Sequence, residues 1–214
     1  MFRETPRSKA EWVKHSASFF RDTITRMKPL GKIIRLQIQR SRLKLGEKPN
    51  QYYDPSALVA VDELRLTPKG AFAIVNGETI LDVHHTDHPH TRNNDGVNDL
   101  SIGFTSHYEA MRARYGDHLF NGCAGENILV AMDSRVDLTR IQNGLIIGDA
   151  AFAVRLNDLR VALPCAPFSK FASKSSDPQA VKGALQFLDH GMRGFYCVVN
   201  QEATIKVGDE VAVG

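Results

Sequence analysis

Three cysteines, Cys123, Cys165 and Cys197, are too few and too scattered along 214 residues for a disulfide framework, so reduced thiols are expected. The chain has no run of about 18 apolar residues, which excludes an ordinary membrane-spanning helix. Its first 30 residues lack the continuous apolar core of a secretory signal, and Glu4, Glu11 and Asp22 argue against a mitochondrial presequence. A cytoplasmic location is the expectation. No P-loop, G-x-S-x-G elbow or dinucleotide fingerprint occurs, which excludes the enzyme classes those motifs define. No internal repeat or low-complexity segment is present either.

What is there suffices for an ordinary core, since 43% of the residues are hydrophobic. The net charge of +3 hides an asymmetry: residues 1–48 hold 13 Lys+Arg against 4 Asp+Glu, and the rest of the chain holds 14 against 20. The basic end suits either an anionic surface or a solvated face. Aromatics interleaved with these charges, as nucleic-acid binding wants, are missing, so no nucleic-acid partner is expected.

Residues 1–30 read as an N-terminal helical extension. Ser8 and Glu11 form the S-x-x-E capping pattern, Trp12, Phe19, Phe20, Ile24 and Met27 recur near helical spacing, and Pro29 and Gly31 end the run. Its apolar stripe points to docking on the main domain, with a membrane-surface role as the alternative. From Gly31 the texture changes to short alternating segments, KIIRLQIQ, ALVAVDELRL and AFAIVNGETILDV, the last carrying the hairpin signal Asn76-Gly77. A second helix is expected at SHYEAMRARYG, with Ser106 and Glu109 as its capping pair. A third is expected at DPQAVKGALQFLDHG, where Asp177 caps, Pro178 suits the first turn and Gly191 stops the helix. Further strands surround these. Regular strand–helix alternation is missing, so the fold class is mainly β with peripheral helices (α+β), a closed or nearly closed barrel over residues 31–214.

The stretch RVALPCAPFSKF places Cys165 on a stiff corner. Pro164 and Pro167 each fix φ and lack an N–H, so neither a ladder nor a helix interior runs through it. If a helix starts after Pro167, its dipole and Lys170 favour the thiolate, the form that attacks electrophiles or ligates metals; otherwise Cys165 is a small buried apolar residue. Cys197, in GFYCVV, reads as core, and Cys123, in NGCAGEN, lies on a glycine-rich loop open to exposure. The stretch DVHHTDHPHTRNNDG gathers His84, His85, His88 and His90 with Asp82 and Asp87. Three readings stand: a metal site through His84 and His88, a polar loop bonded to backbone, and an anion-binding loop of His, Arg92, Asn93 and Asn94 donors. Gly125-Glu126-Asn127 and Arg193 between Gly191 and Gly194 are glycine-bracketed motifs that let backbone approach a ligand, with the arginine able to fork onto phosphate.

These pieces, in this order, resemble the MOSC family, the domain named after the C-terminal part of molybdenum-cofactor sulfurases. The resemblance covers about residues 31–214 and rests on GKIIRLQI, SHYEAMRARYGD followed by GCAGENILV, IIGDAAFAV, RVALPCAPF, GMRGFYCVV and IKVGDEV. It implies a β-barrel that binds a molybdenum–pterin cofactor (Mo-pterin) with Cys165 as molybdenum ligand and catalytic residue. It also implies Arg193, His84, His85, His90, Arg92, Glu126 and Asn127 as cofactor-binding candidates. Reduction of N-hydroxylated small molecules is the reaction of some relatives; persulfide sulfur carriage is proposed for others. Relatives often carry a His-Gly-Gly-x-Asp-Arg stretch where this chain has NNDGVNDLSIGF, with Asn98 and Asp99 in place of Asp and Arg. A cationic contact to the pterin phosphate is missing there, so either Arg92, Arg193 or the histidine loop replaces it, or cofactor binding is lost. No pyridoxal phosphate domain is expected, so the chain should not desulfurate cysteine by itself. Without a flavin or iron–sulfur module, a reductase role requires a redox partner, and a sulfur-carrier role a sulfur-donor protein. A non-catalytic metal-binding barrel using the His84–His90 loop is the third expectation.

Overall fold

The computed structural model describes residues 28–93, 95–148 and 153–214, so the helix read over residues 8–27, with Asn94 and Asp149, lies outside the described residues. Fourteen strands follow one another among the described residues: β1 (Lys28–Gln39), β2 (Lys44–Leu45), β3 (Tyr52–Tyr53), β4 (Leu58–Val61), β5 (Glu63–Thr67), β6 (Gly70–Val75), β7 (Glu78–Leu81), β8 (Leu100–Phe104), β9 (Ile128–Val130), β10 (Leu145–Ile147), β11 (Val154–Val161), β12 (Phe195–Val199), β13 (Ala203–Lys206) and β14 (Glu210–Val213). The α-helices among the described residues are Thr105–Tyr115, Leu138–Ile141, Ala166–Ser173 and Pro178–Leu188.

The principal sheet runs β14-β10-β11-β12-β8-β9-β1-β4, and a further pairing of β14 with β1 closes seven strands into a barrel with β4 outside the ring. Closure leaves those seven strands without an open edge. Every pairing in the ring is antiparallel except β8 with β9, whose connection contains the helix Thr105–Tyr115, as a parallel crossover requires. A separate antiparallel sheet runs β13-β5-β6-β7.

The β1 strand shows how the pattern reads. Leu30, Ile33, Leu36 and Ile38 are buried in the barrel core with Leu100, Ile102, Phe104, Ile128, Leu156, Phe195 and Val211. Each such fully buried side chain contributes roughly 1.5–3 kcal/mol. At its end β1 buries Gln37 and Gln39 as well, because the opposite face is covered, and Gln37 Nε2 donates to Gly122 O at 2.8 Å. A second core, of Tyr53, Tyr108, Met111, Cys123, Phe168, Ala184 and Leu188 with others, glues the helices to the barrel.

Local chemistry was read correctly at several places. Asn76 and Gly77 take φ of 52° and 83°, the positive values a two-residue hairpin turn demands, between β6 and β7. Asp177 caps its helix by accepting from Gln179 N and Ala180 N. Two expectations are corrected and an open one is settled. The alternating run ALVAVDELRL breaks at Asp62: β4 joins the principal sheet and β5 the smaller one. The Ser106–Glu109 capping box does not form, because Ser106 Oγ donates to Ser134 O at 2.9 Å and Phe104 occupies the cap position without a side-chain bond. Cys123, on a glycine-rich loop whose exposure the sequence left open, is wholly buried, its carbonyl accepting the Tyr53 hydroxyl at 2.9 Å. That burial pushes its thiol well above the ordinary range.

Candidate functional site

A cavity of about 850 Å³ opens where β1 ends and β12 begins. Cys165 sits on its wall. The residue has extended backbone, φ −131° and ψ 152°, and caps the helix Ala166–Ser173, with Pro167 in the first turn. Its carbonyl accepts from Ser169 N at 2.9 Å. Of the three free cysteines it is the one not buried. Corner and thiol therefore stand as the prolines imply, while the helix starts at Ala166, ahead of Pro167 and not after it.

Arg193 braces the same corner. Its two terminal nitrogens donate to Leu163 O at 3.1 Å and Ala124 O at 3.2 Å, tying the segment between β11 and Cys165 to the glycine loop. The guanidinium lies 5.4 Å over the Phe168 ring, and its buried Nε has no partner among the described residues. Burial lowers its pKa, but Tyr196, Tyr53, Cys165 and Glu126 around it outweigh that and hold it above its ordinary value. Gly194 is needed beside it: φ is 100°, and a Cβ there would stand 2.6 Å from Ile102 O.

Glu126 is buried beneath the cavity. Tyr108 donates its hydroxyl to Oε2 at 2.6 Å, leaning on Oε1 at 2.9 Å, and accepts from Ala124 N at 3.0 Å. Burial holds the Glu126 carboxyl above the ordinary carboxylate range. The Tyr108 contact escaped the sequence reading, since nothing local links residues 18 apart.

A second polar construction faces the cavity from the histidine loop. Asp82 is fully buried, and its carboxylate accepts from Gln39 N at 2.8 Å, His84 N at 2.9 Å and Asn127 Nδ2 at 2.7 Å. His84 Nδ1 lies 2.9 Å from Asp82 Oδ1. Burial raises the carboxyl's pKa, but the His84 and backbone donors outweigh it and leave it below the ordinary range, so Asp82 is an ionised acceptor.

Of the residues the sequence singled out, Cys165, Arg193, His84, Arg92 and Glu126 line this one cavity; His85, His90 and Asn127 do not. Asn127 is engaged inside the fold, its Oδ1 accepting from Ser101 N and Ser101 Oγ, both at 3.0 Å, and its amide donating to Asp82. His85 is buried with Nδ1 accepting from Asp87 N at 3.2 Å, and burial lowers its pKa. His90 is exposed, and its N–H donates to His88 Nδ1 at 3.0 Å. Among the described residues no three His, Cys, Asp or Glu side chains group so as to hold a metal ion.

The cations were distributed differently from the reading. Among the described residues, Arg42, Lys44, Lys48, Arg92, Lys170 and Arg193 all line the cavity, against the single carboxylate Glu126. Three of them come from the basic end of the chain, whose charge excess over residues 1–48 is the signal that could have found them. Asn98 also lines the cavity, whereas Asp99 is buried, accepting from Asn93 Nδ2 at 2.6 Å and Val199 N at 3.2 Å.

Among the described residues no helix is long and apolar enough to cross a membrane. The family profile described as the MOSC domain matches residues 97–212, more than half of the chain. Among solved structures, the YuaD protein from Bacillus subtilis is similar in fold, with 15% identity, a TM-score of 0.53, and coverage of 87% of this chain and 97% of that one. YiiM from Escherichia coli matches at 15% identity and a TM-score of 0.46, covering 73% of this chain and 65% of that one. A comparison with curated proteins gives no match.

Proposed function

The chain belongs to the MOSC domain family, and from that premise we propose that it binds a molybdenum–pterin cofactor in this cavity and reduces N-hydroxylated or similarly oxygenated small molecules with electrons from a partner protein. The observation that carries the reading is the half-buried Cys165 thiol on the wall of a cavity lined by six cations and one carboxylate. A soft sulfur suits a molybdenum centre, and a cationic lining suits a phosphate-bearing ligand. The unpartnered, buried Nε of Arg193 fits the group too: it is a donor of this wall that no described residue satisfies.

Cys165 would hold the metal. Arg193 and Arg92, with Arg42, Lys44, Lys48 and Lys170, would hold the anionic part of the pterin, taking the place of the charge that Asn98 and Asp99 do not supply. When bound, the group supplies two-electron redox chemistry at its metal. The protein's own part is positional. Arg193 fixes the Cys165 corner through Leu163 O, and Glu126 fixes the glycine loop through Tyr108 and Ala124 N.

Metal and pterin analysis of protein from a cofactor-competent host tests this: about one molybdenum and one pterin per chain are expected, with molybdenum lost in Cys165→Ser. Protein devoid of both overturns the reading. The exposure of Cys165 alone among the cysteines also favours a second reading, a persulfide carrier. Its mark is a Cys165-dependent gain of one sulfur in intact mass after loading, and a thiol that never takes up sulfur counts against it.

A further inference from the structure

Reduction of an N–OH bond consumes two protons as well as two electrons, and His84 in the cavity wall is arranged to deliver one of them. His84 is 8% exposed and lines the cavity. Asp82 below it is an ionised acceptor whose other contacts are all N–H donors, from Gln39, the His84 backbone and Asn127. The contact at 2.9 Å therefore requires His84 Nδ1 to carry a hydrogen. In the neutral ring that leaves Nε2 as a bare acceptor, and in the protonated ring as a donor. Nε2 has no partner among the described residues, while the ring centroid lies 5.6 Å from that of Tyr196, the two planes tilted by 56°. A buried imidazole on a cavity wall, with one nitrogen locked by a carboxylate and the other free of a partner among the described residues, is the arrangement of a general acid–base pair.

We infer that His84 is the proton-transfer group of this cavity and Asp82 its positioning residue, an assignment that rests on the reductase reading. For an N-hydroxylated substrate the balance is two electrons, from an external flavin- or haem-bearing donor, and two protons. The N–O bond breaks, and the hydroxyl leaves as water carrying the proton from His84 Nε2. The nitrogen keeps the new electron pair and takes its second proton from water; solvent then reprotonates His84. The role differs from cofactor binding: His84 acts on the leaving oxygen, and metal content is independent of it.

Two measurements on the full chain test the assignment. Long-range proton–nitrogen NMR of histidine-labelled protein, with His84→Gln identifying the signal, is expected to show the neutral His84 ring protonated at Nδ1. In Asp82→Asn that preference should weaken or reverse. A neutral ring carrying its hydrogen on Nε2 in the wild type overturns the pair whatever the cofactor does. In the second measurement hydroxylamine is reduced to ammonia and water with reduced methyl viologen as donor. His84→Gln is expected to lower kcat by about 100-fold or more at unchanged molybdenum per chain, with a smaller loss in Asp82→Asn. Wild-type kcat in His84→Gln overturns the assignment, and so does loss of its molybdenum, which would make His84 a cofactor residue. Wild-type protein lacking molybdenum overturns the reductase reading alone and leaves the NMR result to judge the geometry of the pair.

Discussion

Acidification should destabilise this fold most through the buried imidazole of His107, whose pKa burial depresses. His107 is 1% exposed, packed 5.4 Å from the Phe104 ring and 6.3 Å from that of Phe195. Its Nε2 accepts from Val136 N at 3.1 Å, so a proton on that nitrogen would set two N–H groups against each other. Burial lowers its pKa from 6.5 to about 4. The folded value is depressed, so the stabilisation is complete above the unfolded value and is lost as pH falls toward the folded one. At about 1.36 kcal/mol per unit, the loss reaches roughly 2 kcal/mol by pH 5 and roughly 3 kcal/mol by pH 4. The assay is urea unfolding at a series of pH values for wild type and for His107→Gln, whose amide oxygen keeps an acceptor for Val136 N. Glu126 and Asp99, with carboxyls raised by burial, work in the opposite direction, and Asp82 contributes at lower pH. All three are common to both proteins and cancel in the difference. The difference curve should fall by roughly 2 kcal/mol between pH 7 and 5. Parallel curves for the two proteins would refute the reasoning.

Other substitutions test the bracing of the site. Arg193→Lys cannot reach Leu163 O and Ala124 O together, so a carbonyl loses its donor and unfolding free energy should drop by about 1–3 kcal/mol in urea titrations. Asp82→Asn places an amide N–H where only acceptors fit, and a loss of about 3 kcal/mol is expected by the same measurement. Gly194→Ala meets Ile102 O at 2.6 Å and a φ of 100°, so thermal unfolding should fall by several degrees, consistent with about 2 kcal/mol or more. Lys174 is left-handed, with φ 49°, at the end of the helix that Cys165 begins. Lys174→Gly should raise stability by up to about 1 kcal/mol, read as a higher urea midpoint.

Much of the fold was legible because its signals are local. Asn76-Gly77 needs positive φ at both positions, and a hairpin is what such a pair makes between two β-rich runs. Asp177 ahead of Pro178 caps a helix for reasons contained within four residues. The capping box at Ser106 failed because the same hydroxyl found a carbonyl 28 residues away, and the exposure left open for Cys123 is absent because the loop packs inward, a tyrosine 70 residues away bonding its carbonyl. Both outcomes arise where a distant partner outcompeted a neighbour. The histidine loop drew attention for its imidazoles, yet the residue that organises it is the fully buried Asp82.

By itself the sequence determined the barrel class and the stiff thiol corner, since proline geometry, turn residues and hydrophobic period act over a few positions, and the order of its motifs carried the resemblance to the family. Only the tertiary structure decided which charged groups meet. Arg42, Lys44 and Lys48 from the end of the basic segment, His84 from the middle and Arg193 from near the C-terminus converge on Cys165 because the chain closes into a ring of strands. A side chain's partners across such a ring are set by strand register and order, and these depend on all the pairings at once.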